Sequence, residues 1–226
     1  MASKDPQTVT IYGRLSWPVW THALAVERNI KSKYPKDAAD VRPEFNLVVE
    51  PAQLLKLKTH LTDVFLPWCV EQHKAGETRS ALDDKQVGKL VALLASEDWE
   101  DQPPYIPIKP VPEQTQELAP ETVAMVKING MKGVDIEQKA IVTNEDELKV
   151  PDPDQLVFPV IKPIHLTTPQ MYSGALVAAT LNLYAFVSGK LPGITATAST
   201  AVFKADADRF GGGMSVDEDE VLFMDD

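Results

Sequence analysis

The sequence is poor in cysteine and has no long apolar run. Cys69 is the single cysteine among 226 residues, which excludes an internal disulfide framework and suits a reducing cytoplasm. No uninterrupted apolar stretch reaches the roughly 18 residues that a membrane-spanning helix needs. The first five residues are polar and lack the apolar core of a signal peptide. We therefore expect a cytoplasmic protein that does not enter a membrane.

Motifs typical of enzymes and metal sites are also missing. The sequence contains no phosphate-binding Gly-rich loop, no nucleophile elbow and no His-Glu-x-x-His pair. Cys69 and His73 supply only two ligands, whereas a structural zinc site needs four. The carboxylates of residues 217–220 follow three glycines and lack the rigid geometry of an ion site. We predict no catalytic residue, no metal and no cofactor.

Charge is unevenly distributed along the chain. The formal net charge is -11, but residues 215–226 carry six acids and no base. Residues 28–42 instead hold five cations against Asp37 and Asp40. Such a basic stretch either lines a binding groove or forms a solvated face, and composition alone does not separate the two.

The first half of the chain alternates between strand and helix signals. Residues 8–17 predict a strand that bends at Gly13 and ends at Pro18, because proline cannot donate to a ladder. Residues 21–32 form either a short helix or an irregular arm. Residues 43–50 predict a second strand with Phe45, Leu47 and Val49 on one face.

Helices are predicted between this strand and the next. One begins at Pro51 and is kinked or ended by Pro67, and a second is capped by Asp83 with Gln86. Its expected buried stripe is Val87, Leu90, Val91 and Leu94. Residues 103–120 are proline-rich and predict a loop without a ladder. We interpret residues from about 51 to 120 as an insertion.

The C-terminal third predicts a hairpin followed by a charged tail. Residues 122–129 form a third strand, and residues 134–143 could pair back on it. Residues 174–189 and 194–203 read as two antiparallel strands joined by a turn with Pro192 and Gly193. Three glycines at 211–213 precede an acidic end that like-charge repulsion is expected to keep disordered.

The order of several short motifs resembles that of the phage-type single-stranded DNA-binding proteins. These motifs are Tyr12-Gly-Arg-Leu-Ser-Trp-Pro18, Tyr172, Gly174, Val202, Phe203, and Arg209-Phe-Gly-Gly-Gly213 before an acidic tail. The resemblance covers both ends of the chain, and the middle, from about residue 51 to 120, does not align. It implies a mainly β protein with a helical insertion, namely a five-stranded Greek-key OB-fold barrel over residues 1–210 and a tail over 211–226. It also implies a protein of the infected cell that coats single-stranded DNA during phage replication, recombination and repair, with a homodimer as one possible assembly.

Binding of single strands requires cations for the phosphates and aromatic faces for the bases. Candidate phosphate contacts are Arg14, Arg28, Lys31, Lys33, Lys36, Arg42 and Lys127. Candidate stacking residues are Trp17, Trp20, Tyr34 and Tyr184, with one of the two tryptophans expected in the core. Phe45 has the same parity as Leu47 and Val49 and is expected in the core. Tyr34 is the preferred stacking residue because lysines surround it.

The acidic tail is the expected contact for other proteins. Its candidate residues are Asp217, Glu218, Asp219, Glu220, Phe223, Asp225 and Asp226. Such a tail mimics a phosphate chain, so we expect it to compete with DNA and to recruit a phage polymerase, helicase or primase. The alternative is a phage structural or scaffold protein with an acidic interaction tail. Retention on single-stranded DNA as salt rises would separate the two.

Overall fold

A mixed sheet of nine strands, with five helices, makes up the described part of the chain. The computed structural model describes residues 5–32, 35–96, 99, 105–140, 164–165 and 171–210. The strands are β1 (Thr8–Val19), β2 (Glu44–Val49), β3 (Ile108–Lys109), β4 (Ala124–Asn129), β5 (Glu137–Ala140), β6 (Ile164–His165), β7 (Leu176–Ser188), β8 (Leu191–Thr197) and β9 (Thr200–Ala205). The helices are α1 (His22–Ile30), α2 (Pro51–His60), α3 (Leu66–Lys74), α4 (Asp84–Ser96) and α5 (Glu113–Leu118). Among these described residues, no helix has the length and apolar content needed to cross a membrane.

Strand β1 takes part in two different pairings. Its first half pairs antiparallel with β7, from Thr8 to Arg14, and its second half pairs with β2, from Arg14 to Val19. Gly13 lies at the crossing, where a Cβ atom would stand 2.5 Å from the Val48 carbonyl oxygen. A side chain therefore does not fit there, and the predicted bend of β1 across two parts of the sheet is confirmed.

Five strands pair in an order that returns to its start. β1 pairs with β2 and β2 with β4, both antiparallel, and β4 meets β8 in parallel at Asn129 and Thr197. β8 forms the predicted antiparallel hairpin with β7, which pairs with β1. β9 follows β8 along the same edge of β7, and β5 and β6 extend the sheet beyond β9.

The core lies between the inward faces of these strands and the helices. Phe45, Leu47 and Val49 of β2 are fully buried, as predicted, and they share one cluster with Leu57 of α2 and Leu90 of α4. Each such side chain contributes about 1.5–3 kcal/mol on burial. The helical region is therefore part of the main core rather than an appendage.

The predicted helix start at Asp83 is confirmed, whereas part of the predicted stripe is wrong. The Asp83 amide donates to Gln86 Oε1 at 2.9 Å, and the Gln86 amide donates to Asp83 Oδ1 at 2.7 Å, which completes a capping box. Leu90 and Leu94 are buried, but Val91 is exposed because it lies beyond the edge of the buried face.

The prediction that Pro18 ends β1 is wrong, and of the two alternatives for Pro67, a kink or an end, the end is wrong. β1 continues through Pro18 to Val19, because a break in register between Ser16 and Val19 removes the need for a ladder donor at proline. Pro67 does not end the helical region. It lies in the first turn of α3, directly after a wide π-helical turn at Leu61–Phe65, and a widened turn accommodates the missing N–H.

The proline-rich segment and the pairing of β5 also differ from expectation. The described part of residues 103–120 contains β3, which pairs with β4, and the helix α5. The prediction of a loop without strand pairing is therefore wrong for this part. β5 pairs with β6 and β9 instead of returning to β4. The expected strand at residues 194–203 is divided between β8 and β9.

Candidate nucleic-acid interface

The outward face of β2 and β4 forms the floor of the candidate site. Because strand residues alternate between faces, Glu44 and Asn46 point away from the core residues Phe45 and Leu47. On β4, Lys127 and Asn129 are likewise opposite the core side chains. The register places Glu44 beside Asn129 and Asn46 beside Lys127, so this face carries two polar rungs.

A groove of about 500 Å³ lies over this floor. Its walls come from α1, from residues 36–42 and from Val19 of β1. Four cations line it, and all four are exposed: Arg28, Lys36, Arg42 and Lys127. Within the described residues, Arg28, Lys36 and Arg42 form no ion pair with a carboxylate. Lys36 and Arg42 nevertheless lie near enough to Asp40 to help lower its pKa, so this carboxylate compensates part of their charge.

The two carboxylates of the groove are each held by a lysine. Glu44 forms an ion pair with Lys127 at 3.0 Å, diagonally between neighbouring rungs of β2 and β4. Asp40 is paired with Lys132 from the turn after β4, and this contact lowers the pKa of Asp40 below its ordinary value. The described lining thus has more cations than carboxylates, and Lys132 joins the turn after β4 to Asp40 in the groove wall.

Local hydrogen bonds fix the wall of the groove. Thr21 caps α1 by accepting from the Leu24 amide at 3.2 Å. Near the other end of α1, the Asn29 amide group donates to the Lys36 carbonyl at 2.7 Å, and its Oδ1 accepts from the Lys36 amide at 2.9 Å. This reciprocal pair ties Lys36 to the helix that carries Arg28.

The two candidate tryptophans of β1 have different environments. Trp20 is 5% exposed and packs on Phe45 with ring centroids 5.3 Å apart, so its selection as a stacking residue does not agree with its place in the core. Trp17 is 52% exposed and lies at the register break, two residues before Val19 of the groove wall. Its φ of +48° is unusual for a bulky residue. The expectation that one tryptophan is buried and the other exposed is confirmed.

Arg14 lies away from the groove and its guanidinium contacts other parts of the protein. It donates to the carbonyls of Gly174 and Leu118, at 3.2 Å each, and to that of Asp208. It also pairs with Glu121 at 3.5 Å and stacks on the Phe210 ring at 4.4 Å. With its donors used in this way, Arg14 has a structural position, and we remove it from the candidate interface.

The remaining predicted residues are dispersed. Lys31 pairs with Glu27 one turn earlier in the sequence, at 2.8 Å, outside the groove lining. Tyr184 lies on β7, partly exposed, with the Arg79 guanidinium 5.9 Å from its ring. Lys33, Tyr34 and the tail residues Asp217, Glu218, Asp219, Glu220, Phe223, Asp225 and Asp226 lie outside the described residues.

Two asparagines are among the groove residues that the sequence analysis missed. Asn29 and Asn129 line the groove, and Asn129 donates to Thr195 of β8 at 3.1 Å. Asn129 has the parity of Lys127 on β4, and that alternation was the available signal. Asn29 has no comparable signal, because its role depends on the path of residues 31–36.

Among the described residues, the cysteine and the groups that could hold a metal ion do not form a site. Cys69 is fully buried, and burial raises the pKa of its thiol to about 12. A thiol with such a pKa is a poor nucleophile. Within the described residues, no cluster of three or more histidine, cysteine or acidic side chains is placed to hold a metal ion.

Comparison with solved structures finds similarity to phage proteins. The single-stranded DNA-binding protein from bacteriophage Enc34 matches with a TM-score of 0.48 and 11% identity, over 96% of this chain and 90% of that chain. The chain resembles phage single-stranded DNA-binding proteins. The Enc34 protein in complex with single-stranded DNA gives a TM-score of 0.45 and 11% identity, over 93% and 97% of the two chains.

A second phage protein is similar to a comparable degree. The single-stranded DNA-binding protein gp2.5 of bacteriophage T7 gives a TM-score of 0.43 and 10% identity, over 94% of this chain and 98% of that chain. No model of a protein family matches the sequence, and no curated protein matches it.

Proposed function

We propose that this protein binds single-stranded DNA without strong sequence preference, in the groove above β2 and β4. The observation that carries the proposal is the convergence of Arg28, Lys36, Arg42 and Lys127 on one groove. Three of these cations come from the segment between β1 and β2, and the fourth comes from β4. Cations that follow a groove in this way match a phosphate backbone, which supplies most of the sequence-independent affinity.

The strand order supports this choice of face. We propose that β1, β2, β4, β8 and β7 form a five-stranded Greek-key barrel of the OB class, since their pairings return to β1. OB-folds bind oligonucleotides on the face of their second and third strands and on the loop between the first two. In this chain those parts are β2, β4 and the segment that contains α1, which are the parts that form the groove.

Trp17 supplies the aromatic surface of the proposed site. Its ring is exposed, two residues before Val19 of the groove wall in the sequence, and a base can stack on such a ring without a sequence requirement. Tyr34 remains a proposed second stacking residue, because it follows α1 between Ser32 and Lys36 in the sequence. Tyr184 and Lys31 are secondary candidates at more distant positions.

We further propose a role for the protein in the infected cell. It coats exposed single strands during phage replication, recombination and repair, and it catalyses no reaction. The six acids of residues 215–226 compete with DNA for the cationic groove. Phe223 and the neighbouring acids are the proposed contact for a polymerase, helicase or primase.

A salt titration with oligo-dT tests the groove. Each phosphate contact contributes a slope of about -0.7 to log K against log[salt], so four contacts give about -2.8. The variant R28A/K36A/R42A/K127A should lose most of that slope and bind much more weakly at low salt. Lys85 and Lys89, exposed on α4 and outside the groove, provide the control variant K85A/K89A. Equal slopes for the two variants would reject the groove as the DNA site.

A further inference from the structure

Two aromatic residues of β7 lie on the outward face of the sheet. Because strand residues alternate between faces, Tyr184 and Phe186 are opposite the core residues Leu183 and Ala185. Tyr184 is 36% exposed, and Phe186 is half-buried. The register places Phe186 beside Gly193 of β8, where a Cβ atom would overlap the Phe186 ring. The absence of a side chain at this glycine therefore lets the ring extend over β8.

A third aromatic residue joins this face from the segment before β3. Tyr105 forms a bridge with Gly193, in which its amide donates to the Pro192 carbonyl at 3.4 Å and its carbonyl accepts from the Ile194 amide at 2.8 Å. Residues that pair in this way point to the same face of a sheet. Tyr105 is accordingly 37% exposed, whereas Ile106 is buried. We call the resulting surface the aromatic platform; it consists of Tyr105, Tyr184 and Phe186.

The connection between α3 and α4 places a cation against the platform. The Arg79 guanidinium lies 5.9 Å from the Tyr184 ring, and Arg79 is exposed. The next residue, Ser80, is buried and has a φ of +54°, which is unusual for a residue with a side chain. Its hydroxyl accepts from the Ala185 amide at 3.2 Å, beyond the end of the β1–β7 pairing at Asn182. Ser80 therefore holds the Arg79 backbone close to β7.

A polar row connects the platform with the groove floor. Asn129, which lines the groove, donates to Thr195 Oγ1 at 3.1 Å. Thr195 is directly opposite Tyr184 in the β7–β8 register. Neighbouring strands lie about 4.8 Å apart, so this row from β4 to β7 spans about 10 Å. The platform is therefore within reach of a DNA strand that leaves the groove beside Asn129.

We propose that the aromatic platform and Arg79 form a second subsite for single-stranded DNA. Bases that have left the groove stack on the rings, and Arg79 contacts a phosphate. Stacking faces next to a cation meet the two requirements of sequence-independent binding. The inference rests on the proposed binding of single-stranded DNA. It lengthens the bound segment of DNA and gives the helical region a part in binding, through Arg79.

Oligo-dT of two lengths tests the subsite, because a short strand fills the groove alone. Suitable lengths are about 4 and about 16 nucleotides, the limits for one OB fold. The variant Y105T/Y184T removes two rings and keeps β-forming side chains. It should bind the longer strand at least about tenfold more weakly, since each stacked base adds affinity, and the shorter strand as before. Y105F/Y184F keeps the rings, so it should bind both strands as the original protein does.

Two further variants complete the test. Arg79→Ala, at an exposed position that should not disturb folding, should make the salt slope shallower by about 0.7 with the longer strand only. This result would support the subsite even if Y105T/Y184T folded poorly. Val123→Thr changes an exposed side chain at the opposite end of β4 from Asn129, and it should leave both affinities unchanged.

Crosslinking locates the DNA directly. With 5-iododeoxyuridine at single positions of the longer strand, adducts on Tyr105, Tyr184 or Phe186 are expected from positions near one end. Adducts confined to groove residues, with equal affinity of Y105T/Y184T and the original protein for the longer strand, would overturn the subsite and leave the groove as the DNA site. If the original protein bound neither strand, the proposed function would fail and the subsite with it.

Discussion

The guanidinium of Arg14 joins β1 to three segments that are distant in sequence. It holds the carbonyls of Leu118, Gly174 and Asp208 and lies against the Phe210 ring. Arg14→Ala would leave these acceptors without their donor, so it should lower the free energy of unfolding by about 2–4 kcal/mol. The slope of DNA affinity against salt should not change.

Arg42→Ala is the matched control for Arg14, and the two arginines should behave in opposite ways. Arg42 is exposed in the groove, so its removal should make the salt slope shallower by about 0.7 and leave unfolding unchanged. Denaturant unfolding and salt titrations on both variants check this. A shallower slope in Arg14→Ala without loss of stability would return Arg14 to the DNA interface.

Trp17 combines an exposed ring with a backbone conformation that favours glycine. Its φ of +48° costs about 1–3 kcal/mol for a residue of this kind, whereas glycine adopts it freely. Trp17→Gly should therefore keep or raise the melting temperature. Loss of the ring should weaken oligo-dT binding by about 1–3 kcal/mol if a base stacks on it.

Trp17→Phe separates the two effects, because it keeps an aromatic face and the strained backbone. We expect binding closer to that of the original protein and no gain in stability. Thermal melting and fluorescence titration of both variants provide the measurements. A large fall in melting temperature with intact affinity in Trp17→Gly would assign the ring to packing instead of stacking.

At the scale of an element, α1 positions the groove cations through its Asn29–Lys36 bonds. Asn29→Ala removes both hydrogen bonds, so Lys36 is no longer fixed beside Arg28. We expect oligo-dT affinity to fall about three- to tenfold, since each net hydrogen bond contributes about 0.5–1.5 kcal/mol. The melting temperature should change little because Lys36 is exposed and the pair lies at the surface.

Thr62→Ala controls for the Asn29 substitution. The Thr62 hydroxyl donates to the Lys58 carbonyl at 3.0 Å in its own helical region, outside the groove, so this variant should bind DNA normally. Affinities of the two variants at one low salt concentration decide the matter. Equal affinities would show that the Asn29–Lys36 pair does not position the site.

Local signals predicted the elements whose form is decided within a few residues. Alternation identified the buried face of β2, and the capping box identified the start of α4. The continuation of β1 through Pro18 depends on a register break against β2, which only the pairing of two distant segments creates. β3 is stabilised in the same way, by β4, and a two-residue strand has no periodicity of its own.

The sequence predicted the residue types of the candidate site, but it did not predict which of the candidate residues lie there. Arg28, Lys36, Arg42 and Lys127 were all among the predicted cations. The β2–β4 pairing brings Lys127 beside the start of β2, and the Asn29–Lys36 bonds hold Lys36 near α1. Nothing near Arg14 in sequence separates it from them, since Leu118, Gly174 and Asp208 are its partners. Trp20 differs from Trp17 through its contact with Phe45, which again belongs to another strand.

At the scale of the whole molecule, a local cationic groove lies within a chain that is strongly acidic overall. The net charge is -11, and residues 215–226 carry six of the acids. The tail begins after Phe210, which packs against Val48 and near Met125. These residues lie on the outward face of β2 and β4, whose other end is the groove floor. The tail acids are thus tethered to the face that we propose for DNA.

Deletion of residues 216–226 should tighten DNA binding most at low salt. The deletion removes six carboxylates and leaves a net charge of -5, since -11 + 6 = -5. Electrostatic competition acts over about 30 Å at 0.01 M salt and about 8 Å at 0.15 M. We expect about tenfold tighter binding of oligo-dT at the lower salt concentration and little change at the higher one. Loss of binding to the phage polymerase or helicase in a pull-down would accompany it if the tail recruits that partner.

Charge-matched variants separate the tail from a general effect of net charge. D217N/E218Q removes two tail acids, and E71Q/E77Q removes two exposed acids from α3 and the turn that follows it. A tail that enters the groove predicts tighter binding at low salt only in the first variant. Similar gains in both would mean that overall charge, not the tail, governs affinity.

Equal affinity of the deleted and full-length chains at 0.01 M salt would reject competition. If the deleted chain still bound the polymerase or helicase, recruitment by the tail would be rejected, but competition with DNA would not. The proposed contact with these partners needs Phe223 and its neighbouring acids, whether or not the tail reaches the groove.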